Sequence, residues 1–98
     1  MRVKISRRAQ RSIERIDVRW RKEADYPEIF RGEMDEVIEQ VETVSGPGTP
    51  CGTATRPHLK RMLLEKSKCH VYFVVNEREQ WIEVIQIWDG RRQDRPKL

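Results

Sequence analysis

Polar and apolar residues alternate over positions 2–6 (Arg-Val-Lys-Ile-Ser), and this period of two predicts a short strand with Val3 and Ile5 on its inner face. The period then changes. Ser6 is placed to cap a helix in which Ala9, Ile13, Ile16, Trp20 and Ala24 recur at helical spacing, while Arg7, Arg8, Arg11, Arg15, Arg19, Arg21 and Lys22 spread over the outer surface. Asp25-Tyr26-Pro27 breaks that helix and starts a second, since proline is tolerated in a first turn and Glu28 suits a positive helix N-terminus. Phe30, Met34, Val37, Ile38, Val41 and Val44 form the stripe of this second helix, and the short connector favours an antiparallel helical hairpin. Gly46 is a candidate C-cap, and the stretch from Gly46 to Pro57 has no period and three prolines, the mark of a loop.

The remainder reads as strands. Leu59–Glu65, Cys69–Asn76 and Trp81–Trp88 are separated by Lys66-Ser67-Lys68 and by Glu77-Arg78-Glu79-Gln80, which makes two consecutive hairpins and an antiparallel meander. In the middle strand Cys69, Val71, Phe73 and Val75 share one face, and His70, Tyr72 and Val74 share the other. The expected fold class is α+β, in the order β-α-α-β-β-β, an antiparallel sheet with the N-terminal helical hairpin packed on one face. Trp20 and Phe30 belong to the helical core on this reading, and Trp81 to a sheet edge. Arg61, His70, Tyr72 and the departing Arg91-Arg92 converge on the other face.

Composition narrows the class. Ninety-eight residues make one small domain, 1–98, which buries roughly two-thirds of its unfolded surface and leaves no room for a large internal cofactor. No cofactor is expected. The run Val71–Val75 is far short of the roughly 20 residues of a membrane helix, and the basic N-terminus lacks an apolar signal core, so a cytoplasmic protein is expected. Two cysteines are too few for a disulfide framework, and the order Cys51, His58, Cys69, His70 lacks the paired spacings of zinc modules; reduced thiols and no metal are expected. The net charge of +4 is distributed in blocks: +6 over residues 1–24, −6 over 25–45, +4 over 46–70, −3 over 71–90 and +3 over 91–98. Such alternation suits elements that attract one another and basic faces open to an acidic or polyanionic partner.

Two stretches carry a family resemblance. Lys60–Asn76, with its Cys69-His70-Val71-Tyr72-Phe73-Val74-Val75 strand, and the ending Val84-Ile85-Gln86-Ile87-Trp88-Asp89-Gly90-Arg91-Arg92 together resemble the RelE/ParE toxin superfamily of type II toxin–antitoxin pairs, and the ending resembles that of its ParE-like branch. Asp89 stands where that ending carries histidine. The resemblance implies a cytoplasmic toxin neutralised by a cognate antitoxin, whose C-terminal segment folds along the toxin surface. For the ParE-like branch it implies inhibition of DNA gyrase by trapping of its cleaved DNA complex, with Trp88, Arg91, Arg92 and Arg95 as target contacts. Tryptophan and arginine are common interface anchors. The cationic first helix, at Arg8, Arg11 and Arg15, suits an acidic antitoxin segment that orders on binding.

The alternative branch is an enzyme. RelE-like members cleave mRNA on the ribosome, which requires a base for the 2′-hydroxyl, cations for the phosphate and an acid for the leaving oxygen. Laid onto this chain, the sheet positions of that branch fall at Arg61, Leu63 and His70, the strand-end arginine at Arg92, and the terminal tyrosine near Leu98. A leucine moves no proton, and a guanidinium stays protonated, so Arg61 is a poor base. Arg92 and His70 could still hold a phosphate, and the catalytic set on this alternative is Arg61, His70 and Arg92. Two further readings stay open: a plain nucleic-acid-binding domain, which predicts steeply salt-dependent binding, and a non-toxic relic that only binds antitoxin.

Overall fold

A computed structural model describes residues 2–23, 26, 28–43, 48–52, 54 and 56–90. The elements run β1 (Arg2–Ile5), α1 (Arg7–Glu23), α2 (Ile29–Thr43), β2 (Thr49–Pro50), β3 (Leu59–Leu64), β4 (Cys69–Asn76) and β5 (Trp81–Asp89). The order and the α+β class are those expected from the sequence. The expected break at Asp25–Pro27, the end of the second helix at Val44 and the Gly46 cap lie wholly or partly outside the described residues.

The five strands form one sheet in the order β1-β5-β4-β3-β2. β3, β4 and β5 make the antiparallel meander, whereas β1 lies parallel to β5, with Val3 opposite Ile82 and Ile5 opposite Val84. The sheet is therefore mixed rather than wholly antiparallel. β1 and β5 are far apart in sequence, and the pattern of neither strand specifies the direction of their pairing. Trp81, expected at a sheet edge, instead starts a strand covered by β1, and the Lys4 ammonium sits 4.8 Å from its ring centroid. The loop before β3 also supplies two residues, Thr49 and Pro50, that pair with Arg61 and Lys60.

Ser6 acts as the N-cap of α1. Its Oγ accepts the Ala9 amide at 3.0 Å and donates to the Ile85 carbonyl at 2.8 Å, so one hydroxyl starts the helix and fixes it to β5. Arg21 and Lys22 in the last turn complement the negative helix end. Ala9, Ile13 and Ile16 of α1 and Phe30, Met34, Val37 and Val41 of α2 join Leu64, Cys69, Val71, Phe73, Ile82, Val84 and Ile87 in one apolar cluster. Both helices thus cover the same sheet face, and Trp20 packs against that cluster. Each hairpin closes through a four-residue turn whose last residue, Lys68 or Gln80, has a left-handed backbone, with φ of 60° and 58°.

Candidate functional site

Alternation along β4 puts His70 and Tyr72 on the face away from the helices, as expected. Across the sheet Leu63 pairs with His70 and His70 with Trp88; one step along, Arg61 pairs with Tyr72. Arg61, His70, Tyr72 and Trp88 are therefore neighbours on one surface. That surface is only partly open. Tyr72 is buried with Leu59 and Ile85, while Cys51, Val74 and Trp88 pack around them as a second, smaller apolar cluster. Arg61 and Leu63 are exposed, and Leu63 is 47% accessible despite its apolar side chain.

The His70 ring is half-buried, and its centroid lies 6.4 Å from that of Tyr72 at a tilt of 42°. Burial, and then the positive charge of Arg61, hold the imidazole below the ordinary histidine pKa. Its Nδ1 is buried without a hydrogen-bond partner among the described residues. The residue is therefore a neutral imidazole near pH 7, set beside a cation. Such a group can accept a proton or a hydrogen bond and carries no charge with which to hold a phosphate.

At the end of β5 the ladder is unusual. β1 pairs β5 only as far as Val84, and helix α1 takes over the exposed edge. The Ser6 amide donates to the Val84 carbonyl at 3.0 Å, the Ser12 hydroxyl donates to Gln86 Oε1 at 2.6 Å, and that same Oε1 accepts the Ile87 amide at 3.0 Å. Two turns further along α1, Arg19 donates to the Asp89 carboxylate at 2.9 Å. The Ser6 amide and the side chain of Gln86 thus satisfy backbone groups at this edge, and Ser12 and Arg19 of α1 hold side chains of β5 rather than its backbone. A bulge makes this possible. Tyr72 opposes Gln86 but Phe73 opposes Val84, so Ile85 is the extra residue, and it turns to the outer cluster.

The turn Glu65–Lys68 closes the same corner. The Glu33 carboxylate of α2 accepts the Lys66 and Ser67 amides at 2.9 and 2.8 Å, and the Lys68 carbonyl accepts the Gly90 amide at 2.8 Å. Gly90 is packed so closely that a Cβ would be driven into the Lys68 carbonyl oxygen and would lie 3.2 Å from His70 Nε2. Arg91, Arg92 and Arg95 follow from this point and lie outside the described residues.

The second candidate surface is the solvent side of α1. Arg8, Arg11 and Arg15 are all exposed and, with Glu14 and Val18, line one open groove. Val18 is 50% accessible, an apolar residue set within a cationic ridge. The pattern suits an acidic amphipathic segment.

Cys51 and Cys69 are free thiols that belong to different clusters, Cys69 to the helix side and Cys51 to the outer side. Among the described residues no group of three His, Cys, Asp or Glu side chains is arranged to hold a metal ion. No helix among them is long and apolar enough to cross a membrane. The sequence pattern did not single out Ser12, Glu33, Gln86, Asp89 or Gly90 for these contacts. The one signal it held was Gln86, a polar residue inside the apolar run Val84–Trp88.

No protein-family model matches the chain, and no curated protein matches it. Among solved structures it is similar to a chain from the chromosomal ParDE TA system of P. aeruginosa, with a TM-score of 0.71 and 20% sequence identity over 91% of this chain and 95% of that one. The likeness spans almost the full length of both chains, and what it establishes is a shared fold.

Proposed function

We propose that the chain is the cytoplasmic toxin of a type II toxin–antitoxin pair, ParE-like, which traps the cleaved DNA complex of DNA gyrase and is neutralised by a cognate antitoxin. The observation that carries this reading is the fold shared, nearly end to end, with a chain of a ParDE TA system. The ending Trp88-Asp89-Gly90-Arg91-Arg92 supports it from the sequence. Target contact falls to Trp88, Arg91, Arg92 and Arg95, and antitoxin contact to Arg8, Arg11 and Arg15. Inhibition of this kind is a binding task, and it suits a surface where an exposed leucine, Leu63, lies across from His70.

The test adds purified chain, free of antitoxin, to gyrase, supercoiled plasmid and ATP, and counts linear DNA after denaturation and protein digestion. Linear DNA should rise with dose. Folded protein that traps none would overturn gyrase as the target. For the antitoxin side, reversing the charge at Arg8, Arg11 and Arg15 together should slow association about tenfold at low salt, with little change in dissociation. Association that ignores both salt and these reversals would remove the ridge from the proposal.

One observation favours a second reading. A half-buried neutral imidazole beside Arg61 is a plausible proton acceptor for RNA cleavage, with Arg92 as the phosphate cation. mRNA cleavage in a translation reaction, abolished by His70→Ala or Arg92→Ala, would establish it. Harmless expression of soluble, folded protein would favour the non-toxic relic.

A further inference from the structure

We propose that a second copy of this chain docks on the outer side of the helical hairpin, with α1 of each copy lying on α2 of the other. Helix α1 carries seven basic and three acidic residues and α2 one basic and five acidic, net charges of +4 and −4. Within one chain these outer charges do not meet. Arg8, Arg11 and Arg15 of α1 and Asp35 and Glu36 of α2 are exposed and make no ion pair among the described residues. A hairpin with one cationic and one acidic outer face complements a copy of itself turned by half a rotation about an axis along the helices. That two-fold pairing serves both helices of both copies and closes on itself.

The levels of the two helices fit this arrangement. Arg19 near the end of α1 bonds Asp89, Gly90 bonds Lys68, and Glu33 near the start of α2 bonds Lys66 and Ser67, so α1 ends and α2 begins at one corner. Asp17 and Arg21 of α1 share a groove with Arg31, Gly32 and Asp35 of α2, which sets Val18 level with Gly32. One turn further from the corner Arg15 is level with Asp35 and Glu36, and after a second turn Arg11 is level with Glu39. With α1 of one copy on α2 of the other at these levels, arginines face carboxylates, and Val18, 50% accessible, faces Gly32. Glu14 is the acid on this strip of α1, and Arg11 and Arg15 line the same groove around it.

Gly32 supplies a second, steric argument. It is exposed within α2, it weakens the helix relative to alanine, and a Cβ there would have nothing within 4 Å. The chain's own packing therefore gives no reason for glycine, whereas bare backbone at that point lets a facing helix come close. Docking covers Arg11 and Val18, so a self-paired chain cannot also hold an acidic segment on the ridge. That consequence rests on the antitoxin reading; the pairing itself does not.

The test is sedimentation velocity of the full chain, free of antitoxin, from about 1 to about 100 µM in about 50 and about 500 mM sodium chloride. Wild type should pass from monomer to dimer over that range at low salt and need about tenfold more protein at high salt. Gly32→Gln should raise the dimer Kd at least about tenfold while the urea midpoint, taken on the monomer, stays at or above that of wild type, because the new side chain meets open space in one chain and collides only with a second helix. Arg11→Glu/Arg15→Glu and Asp35→Lys/Glu36→Lys should each weaken the dimer about tenfold, and all four changes in one chain should restore it. A chain that stays monomeric throughout at low salt would overturn the proposal, as would a dimer that tolerates Gly32→Gln or reversals that the fourfold variant does not rescue. Only this chain is in the sample, so failure here leaves the antitoxin and gyrase readings standing. Wild type that pairs as expected but traps no DNA removes the gyrase reading alone.

Discussion

The two faces of the sheet are built from the same strands and put to different uses. On the helix side, Phe73 and Val71 of β4 meet Phe30, Met34 and Ile13 in a single apolar cluster. On the other side, one residue away along the same strand, Tyr72 joins Leu59 and Ile85 in a smaller cluster, and His70, Arg61 and Leu63 reach the surface. Burial is concentrated on one face, which leaves the second free to carry charge, an imidazole and exposed apolar area. A small domain has little core to spare, so this division leaves residues of the second face energetically inexpensive to vary.

Truncation is the strongest way to break the comparison. Phe73→Ala removes a ring that is 1% accessible from the helix-side cluster and should destabilise the fold by about 3–5 kcal/mol in urea unfolding. A loss below about 1 kcal/mol would mean that the helix-side cluster does not dominate stability. Ser6→Ala tests the joint between helix and sheet. It removes both the α1 cap and the bond to Ile85, and should cost about 1–2 kcal/mol by the same measurement.

Acid sharpens the contrast from the other face. Because burial and Arg61 depress the folded pKa of His70, the unfolded chain takes up that proton first. The contribution of His70 to stability is therefore intact above the ordinary histidine pKa of about 6.5 and is lost as pH falls from there toward the depressed folded value. The stability difference between wild type and His70→Gln, followed from pH 8 downward, should shrink below that point, and a flat difference would disprove the shift. The smallest effect belongs to Leu63. Its exposed side chain should cost within about 0.5 kcal/mol when replaced by Ser, so a larger loss would show that this face contributes more to the fold than its burial indicates.

The sequence by itself determined the elements and their faces. A period of 3.6 in α1 and α2 and a period of two in β4 each follow from local backbone geometry, so Ile13, Phe30 and Phe73 could be assigned to the core one element at a time. Ser6 was legible as a cap for the same reason. Arg61, His70 and Tyr72 were legible as neighbours because two adjacent hairpin strands set their own register. Tertiary structure alone decided the rest: the parallel pairing of β1 with β5, the bulge at Ile85, the grip of Arg19 on Asp89 and of Glu33 on the β3–β4 turn. The β1–β5 ladder, the Arg19–Asp89 pair and the Glu33 contacts each join residues far apart in the chain. Periodicity records which side of an element avoids water, and it holds no information about which distant group meets a given donor or acceptor.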